Sequence, residues 1–193
     1  MKDKFKNLIR TLNKYEGGGE RKLENGTLLI CHVPHLAPEA WLHEIYISLS
    51  EEQINELENT IPVPLPSDYR EFLKISNGIN IFSDSLSVFG VRDSDSSTQP
   101  YDIIDENMEA PEGAPESWLF FGGYSWDGTM VMFDLNEGTE NNKVYLCARE
   151  SAEILYEWND FWSWLSEETD RLSKMFDLNG VKLDKNTPTC PIF

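Results

Sequence analysis

The sequence predicts an α+β fold, an antiparallel or mixed β-sheet packed against helices. Three observations predict it. Helical signals, a capping box and apolar residues at i, i+3, i+4 spacing, gather within the first 80 or so residues. Short apolar runs divided by glycine- and asparagine-rich turns follow between residues 86 and 148. One more amphipathic stretch, near residues 159–176, closes the order. Hydrophobic residues make up 40% of the 193, with six Trp, ten Phe and seven Tyr, so there is ample material for a core.

Phe5, Leu8, Ile9 and Leu12 recur at helical spacing and predict a leading helix over residues 3–15, stopped by Gly17-Gly18-Gly19. Residues 27–33 read as a strand closed by Pro34 and Pro38, and residues 45–49 as another short extended piece. Ser50 followed three residues later by Gln53 forms a capping box, with Glu51 and Glu52 in the positively polarised first turn. Leu49 and Ile54 supply the hydrophobic staple, and Pro62 and Pro64 stop this helix. A second helix runs from Ser67 to Ser76 with Tyr69, Phe72, Leu73 and Ser76 on one face, and Gly78 is placed to end it in the left-handed region. Leu86 to Gly90 reads as a strand. Residues 92–99 read as an exposed loop, and the acidic stretch 105–117, with Pro111 and Pro115, as an irregular connection. Residues 118–121 and 129–133 are strands joined through the Asp127-Gly128 turn, with Gly122-Gly123 as a turn or bulge, and residues 143–148 form a third. The last helix begins near Asp160, turns Phe161, Trp164, Leu165, Leu172 and Met175 inward and Glu167, Glu168 and Asp170 outward, and leaves a loosely held tail after Gly180.

Acidic residues outnumber basic ones 34 to 16, a formal charge of −18. Such a surface repels nucleic-acid phosphates and anionic membranes and attracts a basic protein. Cys31, Cys147 and Cys190 are odd in number and widely spaced, which argues against a disulfide framework. No apolar run behind Met1-Lys2-Asp3-Lys4 reads as a signal peptide, and none reaches membrane-spanning length, so the expected location is a reducing cytoplasm. His32, His35 and His43 match no metal-site spacing and read as solvated loop residues. There is no GxSxG, Walker or GxGxxG pattern, so the expectation is no catalytic residue, no metal and no cofactor. Buried, inert thiols are expected at Cys31 and Cys147 and an exposed one at Cys190. What remains is binding. Asp93, Asp95, Asp105, Glu106, Glu109 and Glu112 lie in expected exposed loops, and Tyr124 and Trp126 in a hairpin loop, as candidate protein contacts.

Leu65-Pro66 through Asn77-Gly78 resembles the signature of the Smi1/Knr4, or SUKH, superfamily, in which a proline-led helix ends in an asparagine-glycine pair. Residues 50–58 look like its preceding helix, Trp118-Leu119-Phe120-Phe121-Gly122 like the strand reaching its central glycine, and residues 128–134, 144–148 and the Phe161–Leu165 helix complete the order. The resemblance implies a SUKH-like domain over 45–178, an N-terminal helix and strand extension over 1–44 and a C-terminal tail over 179–193. It implies structural roles for Tyr69, Phe72, Leu73, Asn77, Gly78, Gly122 and Trp164, and no shared catalytic residues. It further implies an immunity protein that neutralises a cognate bacterial toxin, possibly a nuclease, by stoichiometric contact. The alternative is a regulatory adaptor or scaffold with several partners.

Overall fold

A computed structural model describes residues 2–92, 98–136, 138–140 and 142–191. Among these residues nine strands form one sheet: β1 Glu20–Lys22, β2 Leu28–His32, β3 Trp41–Ile45, β4 Ile79–Ile81, β5 Leu86–Val88, β6 Trp118–Gly123, β7 Met130–Asp134, β8 Val144–Cys147 and β9 Ile154–Trp158. Their order in the sheet is their order in the chain, and every pair is antiparallel. One isolated parallel bridge joins Gly90 to Asp102. The helices are α1 Lys2–Leu12, α2 Glu51–Thr60, α3 Ser67–Leu73, α4 Ile103–Met108 and α5 Phe161–Ser173, with a 3-10 helix at Asn13–Gly18. The fold is α+β, an antiparallel sheet packed against helices.

Local chemistry explains the helices. Ser50 Oγ accepts from the Gln53 N–H at 3.2 Å while Gln53 Oε1 accepts from the Ser50 N–H at 2.9 Å, so the capping box starts α2 and turns Ile54 and Leu57 inward. Asp160 caps α5 by accepting from the Ser163 N–H at 2.9 Å. On one face of the sheet, α3 and α5 close an aromatic cluster. Phe121 and Phe133 stack at 4.2 Å between centroids, Phe161 lies 5.2 Å from Phe72, and Trp164 meets Phe121 edge-on at 5.2 Å. Tyr69, Phe72, Leu73 and Trp164 are all fully buried there. Gly122 lets this packing close: a Cβ on it would stand 2.7 Å from the Ser87 carbonyl oxygen and 3.3 Å from the Trp164 ring.

Several expectations are corrected. The extended piece expected at 45–49 lies earlier, as β3, because Trp41 to Ile45 pairs with β2 and β4. The acidic stretch from 105 belongs in its first part to α4, capped by Asp102, which accepts from Ile104 N at 2.8 Å. Gly78 does not end α3, which stops at Leu73. Its φ of +87° turns the chain into β4, where a Cβ would meet the Val88 carbonyl oxygen at 2.6 Å. The tail is docked, not loose: Thr189 and Cys190 are buried, and Arg171 Nη2 donates to the Thr189 carbonyl at 2.6 Å. Residues 20–45 supply the first three strands of the common sheet.

Candidate binding face

The face of the sheet turned away from the aromatic cluster carries polar residues in register. Glu44 pairs with Asn80, Asn80 with Ser87 and Ser87 with Gly123, a row that crosses four strands. Above it stand α4, the β4–β5 turn and the β6–β7 loop. Between them lies a cavity of about 240 Å³ lined by Asp84, Ser87, Tyr101, Glu106, Thr129 and Arg149, among others. A second cavity of about 260 Å³ adjoins it through Asp84 and is lined by Trp41, Glu44, Asn80 and Ser83, with Leu36, Ala37 and Ala40 as an apolar side.

Helix α4 packs on the core through buried Ile103, and Asn107 clamps it to β6. Asn107 Nδ2 donates to the Phe120 carbonyl at 2.7 Å, and the Phe120 N–H donates to Asn107 Oδ1 at 3.0 Å. This clamp leaves Asp105 and Glu109 exposed and Glu106 half-buried at the cavity. Arg92 lies 4.0 Å from Asp105 and Arg149 3.5 Å from Glu109, both exposed pairs of small energetic weight. Glu112 is exposed beyond the helix. The structure therefore places Asp105 and Glu106 on one short helix with Glu109 at its C-cap, while Asp93 and Asp95 fall outside the described residues.

Tyr124 is corrected. It is buried, donates to Glu168 Oε2 at 2.8 Å and accepts from Trp164 Nε1 at 3.1 Å, so its hydroxyl holds α5 to the β6–β7 loop and offers nothing to a partner. Glu168, expected outward, is 4% exposed because Arg171 neutralises it through contacts of 2.7 and 3.0 Å. Burial, then the Glu168 carboxylate, pushes the Tyr124 phenol far up. Trp126 is exposed at 46%, with Lys182 Nζ 4.3 Å from its ring centroid.

Burial is the leading cause of every shift on the polar face. It pushes the Glu44 carboxyl up, against the 2.6 Å hydrogen bond that Tyr46 donates to it. It pushes the Asp84 carboxyl up with no opposing partner, and Glu106 up against the pull of Arg149. Sequence reasoning did not bring Glu44, Asn80, Asp84 and Arg149 to one face, since strand register pairs the first two and the chain just past β4 and β8 carries the others.

The histidines are corrected in part. His43 is fully buried between Tyr15 and Phe82, its Nδ1 accepting from the Phe82 N–H at 3.2 Å, and burial pushes its pKa down to about 3. His32 lies in β2 and is bonded to the Pro38 carbonyl at 2.8 Å, and His35 is exposed. Cys190, expected exposed, is buried. Burial raises the thiols of Cys147 to about 11 and Cys190 to about 12, so both are protonated at neutral pH. Among the described residues no group of three or more His, Cys, Asp or Glu is placed to hold a metal ion, and no helix is long and apolar enough to cross a membrane.

The residues of the Leu-Pro to Asn-Gly segment have defined work. Tyr69 donates to the Phe89 carbonyl at 2.8 Å. Asn77 accepts from the Val91 N–H and donates to the Val91 carbonyl, both at 2.7 Å, which pins the chain leaving β5. A sequence model of the SMI1/KNR4 family (SUKH-1) matches residues 48–167, from the approach to α2 into α5. No curated protein matches the chain in sequence.

Proposed function

The chain belongs to the SMI1/KNR4 family (SUKH-1), and from that premise we propose that it is a cytoplasmic immunity protein that binds and neutralises one basic toxin domain. Family membership is consistent with a protein–protein interaction module. The observation that supports the finer reading is charge: −18 on a chain whose short α4 carries Asp105 and Glu106, with Glu109 at its C-cap, and with Glu106 lining the polar-face cavity. A nuclease needs a basic surface to hold phosphates, and carboxylates presented on a rigid element compete for that surface. On this reading the protein acts by occlusion, with no chemistry of its own.

Affinity capture from the cells that make the protein, then calorimetry and a toxicity assay on the purified partner, tests this. One basic protein bound one-to-one at about nanomolar Kd, with its toxic activity lost in the complex, is the expected result. Several partners at micromolar affinity and no protection would replace immunity with an adaptor role.

A further inference from the structure

We propose that the cavity between Trp41, Glu44, Asn80, Ser83 and Asp84 is a socket for one arginine side chain of the partner protein. The inference deepens the immunity reading and rests on it for the identity of the partner, but the socket is argued from its own geometry.

The first observation is an acceptor without a donor. Asn80 is 7% exposed and lines the cavity. Its Nδ2 donates to the Tyr46 hydroxyl at 2.9 Å, and that hydroxyl donates to Glu44 Oε2 at 2.6 Å. This chain fixes the amide, and its Oδ1 is buried with no hydrogen-bond partner. The Ser83 Oγ beside it is also buried and unpartnered. Leaving such atoms unmet costs stability, and both of these residues line the cavity, where a donor from outside would meet them.

The second observation is the charge around that acceptor. Glu44 and Asp84 both line the cavity, and neither forms an ion pair among the described residues. The Asp84 carboxylate is among the causes, after burial, that push the Glu44 carboxyl up. A cation entering between them would relieve this. The third observation is the backbone that presents them. Phe82, Ser83 and Asp84 have φ of 54°, 52° and 61°, three successive non-glycine residues in the left-handed region. A strained turn of this kind persists where the surrounding structure holds it, and here it directs Ser83 and Asp84 into the cavity.

The four groups are an amide oxygen, a hydroxyl and two carboxylates, spread over β3, β4 and the turn. A planar guanidinium, with five N–H donors in a fixed fork, can address acceptors in several directions. An ammonium is a compact point charge and meets fewer of them at once. Among the described residues no group of three or more His, Cys, Asp or Glu is placed to hold a metal ion. Leu36, Ala37, Ala40 and Trp41 give the aliphatic stem an apolar wall.

The test is an NMR titration of the isotopically labelled full chain with blocked arginine (N-acetyl-arginine amide), and separately with the blocked lysine and citrulline analogues. Blocked arginine should produce saturable shifts at the Asn80 side-chain amide and the Asp84 N–H with a Kd of roughly millimolar order. Blocked lysine should bind about 5-fold more weakly or worse, and neutral citrulline should not saturate. Asp84→Asn, which keeps a residue tolerant of left-handed backbone, should weaken arginine at least about 5-fold, and Glu44→Gln gives a second variant should the first fail to fold. Equal response to citrulline and arginine, or shifts that map elsewhere, would overturn the socket. A toxin bound with unchanged affinity by Asp84→Asn would likewise overturn it while leaving the immunity reading intact. Arginine binding without any toxin protection would keep the socket and end the immunity reading.

Discussion

Replacing Tyr124 by Phe removes one oxygen atom from the junction between the β6–β7 loop and α5. That oxygen accepts from Trp164 Nε1 at 3.1 Å and donates to Glu168 at 2.8 Å. Trp164 is fully buried and Glu168 4% exposed, so water has no ready access to either group. An orphaned buried indole N–H costs about 1–3 kcal/mol, and a hydrogen bond to a charged group is worth about 1.5–3 kcal/mol. Glu168 retains Arg171 at 2.7 Å, which offsets part of the second contribution. The expected loss is therefore about 3 kcal/mol, equivalent to roughly 6–12 °C in Tm for a chain of this length. Urea unfolding read by tryptophan fluorescence, with calorimetry beside it, measures both. A double-mutant cycle with Glu168→Gln should give a coupling of about 1 kcal/mol or more, because the groups touch. A loss below about 0.5 kcal/mol with an unchanged m-value would refute the assignment of Tyr124 as a fastening of α5. The same variant should leave partner association untouched, since the hydroxyl does not reach the surface.

Gly122→Ala drives a methyl toward the Ser87 carbonyl oxygen and the Trp164 ring, and should cost about 2 kcal/mol or more by denaturant titration. Asn77→Ala frees both polar groups of Val91 and should cost about 1–2 kcal/mol, with faster hydrogen exchange at the Val91 amide. His43, held down to about 3 against an unfolded value near 6.5, binds a proton more readily when unfolded. Its contribution is complete above about pH 6.5 and is lost as pH falls toward 3, at about 1.4 kcal/mol per unit. The raised carboxyls of Glu44, Asp84 and Glu106 work in the opposite sense, adding stability at low pH that fades as pH rises through their folded values. The His43 contribution is therefore read as the difference in slope between the native chain and His43→Phe; equal slopes would refute it. Substituting Asp105, Glu109 and Glu112 together by their amides should slow toxin association by about 10-fold at low salt and flatten its salt dependence, and unchanged kinetics would dismiss α4 and the segment after it as the steering element.

The fold was legible where the signal is local. Ser50 and Gln53 are three residues apart, so the capping box can be read directly, and the Asp160 cap, the Asp127-Gly128 turn and the β6, β7 and β8 strands follow from short windows. Strands β4 and β9 were not. Ile79–Ile81 is too short to display a period, and Ile154–Trp158 puts three apolar residues in a row on an edge, without alternation. Burial of polar residues was the larger blind spot. His43, Glu168 and Tyr124 are inside because of partners 39, 3 and 44 residues away, and only the spacing of Glu168 and Arg171 was open to local reading. The polar face was invisible for the same reason. Glu44, Asn80, Ser87 and Gly123 meet through strand register, and no window of sequence contains them.

The sequential order of the nine strands also bears on how the chain emerges from the ribosome. Each strand finds its antiparallel neighbour in the segment made just before it, so most pairing closes short loops and can proceed as synthesis advances. The lid over the aromatic cluster arrives late: Phe161 and Trp164 are made after every strand they cover. At roughly 5–20 residues per second, Phe121 waits several seconds for that cover. Nascent chains arrested before α5 should therefore be the forms that chaperones hold, and the stretch from β6 to β9 the place where a translational pause does harm.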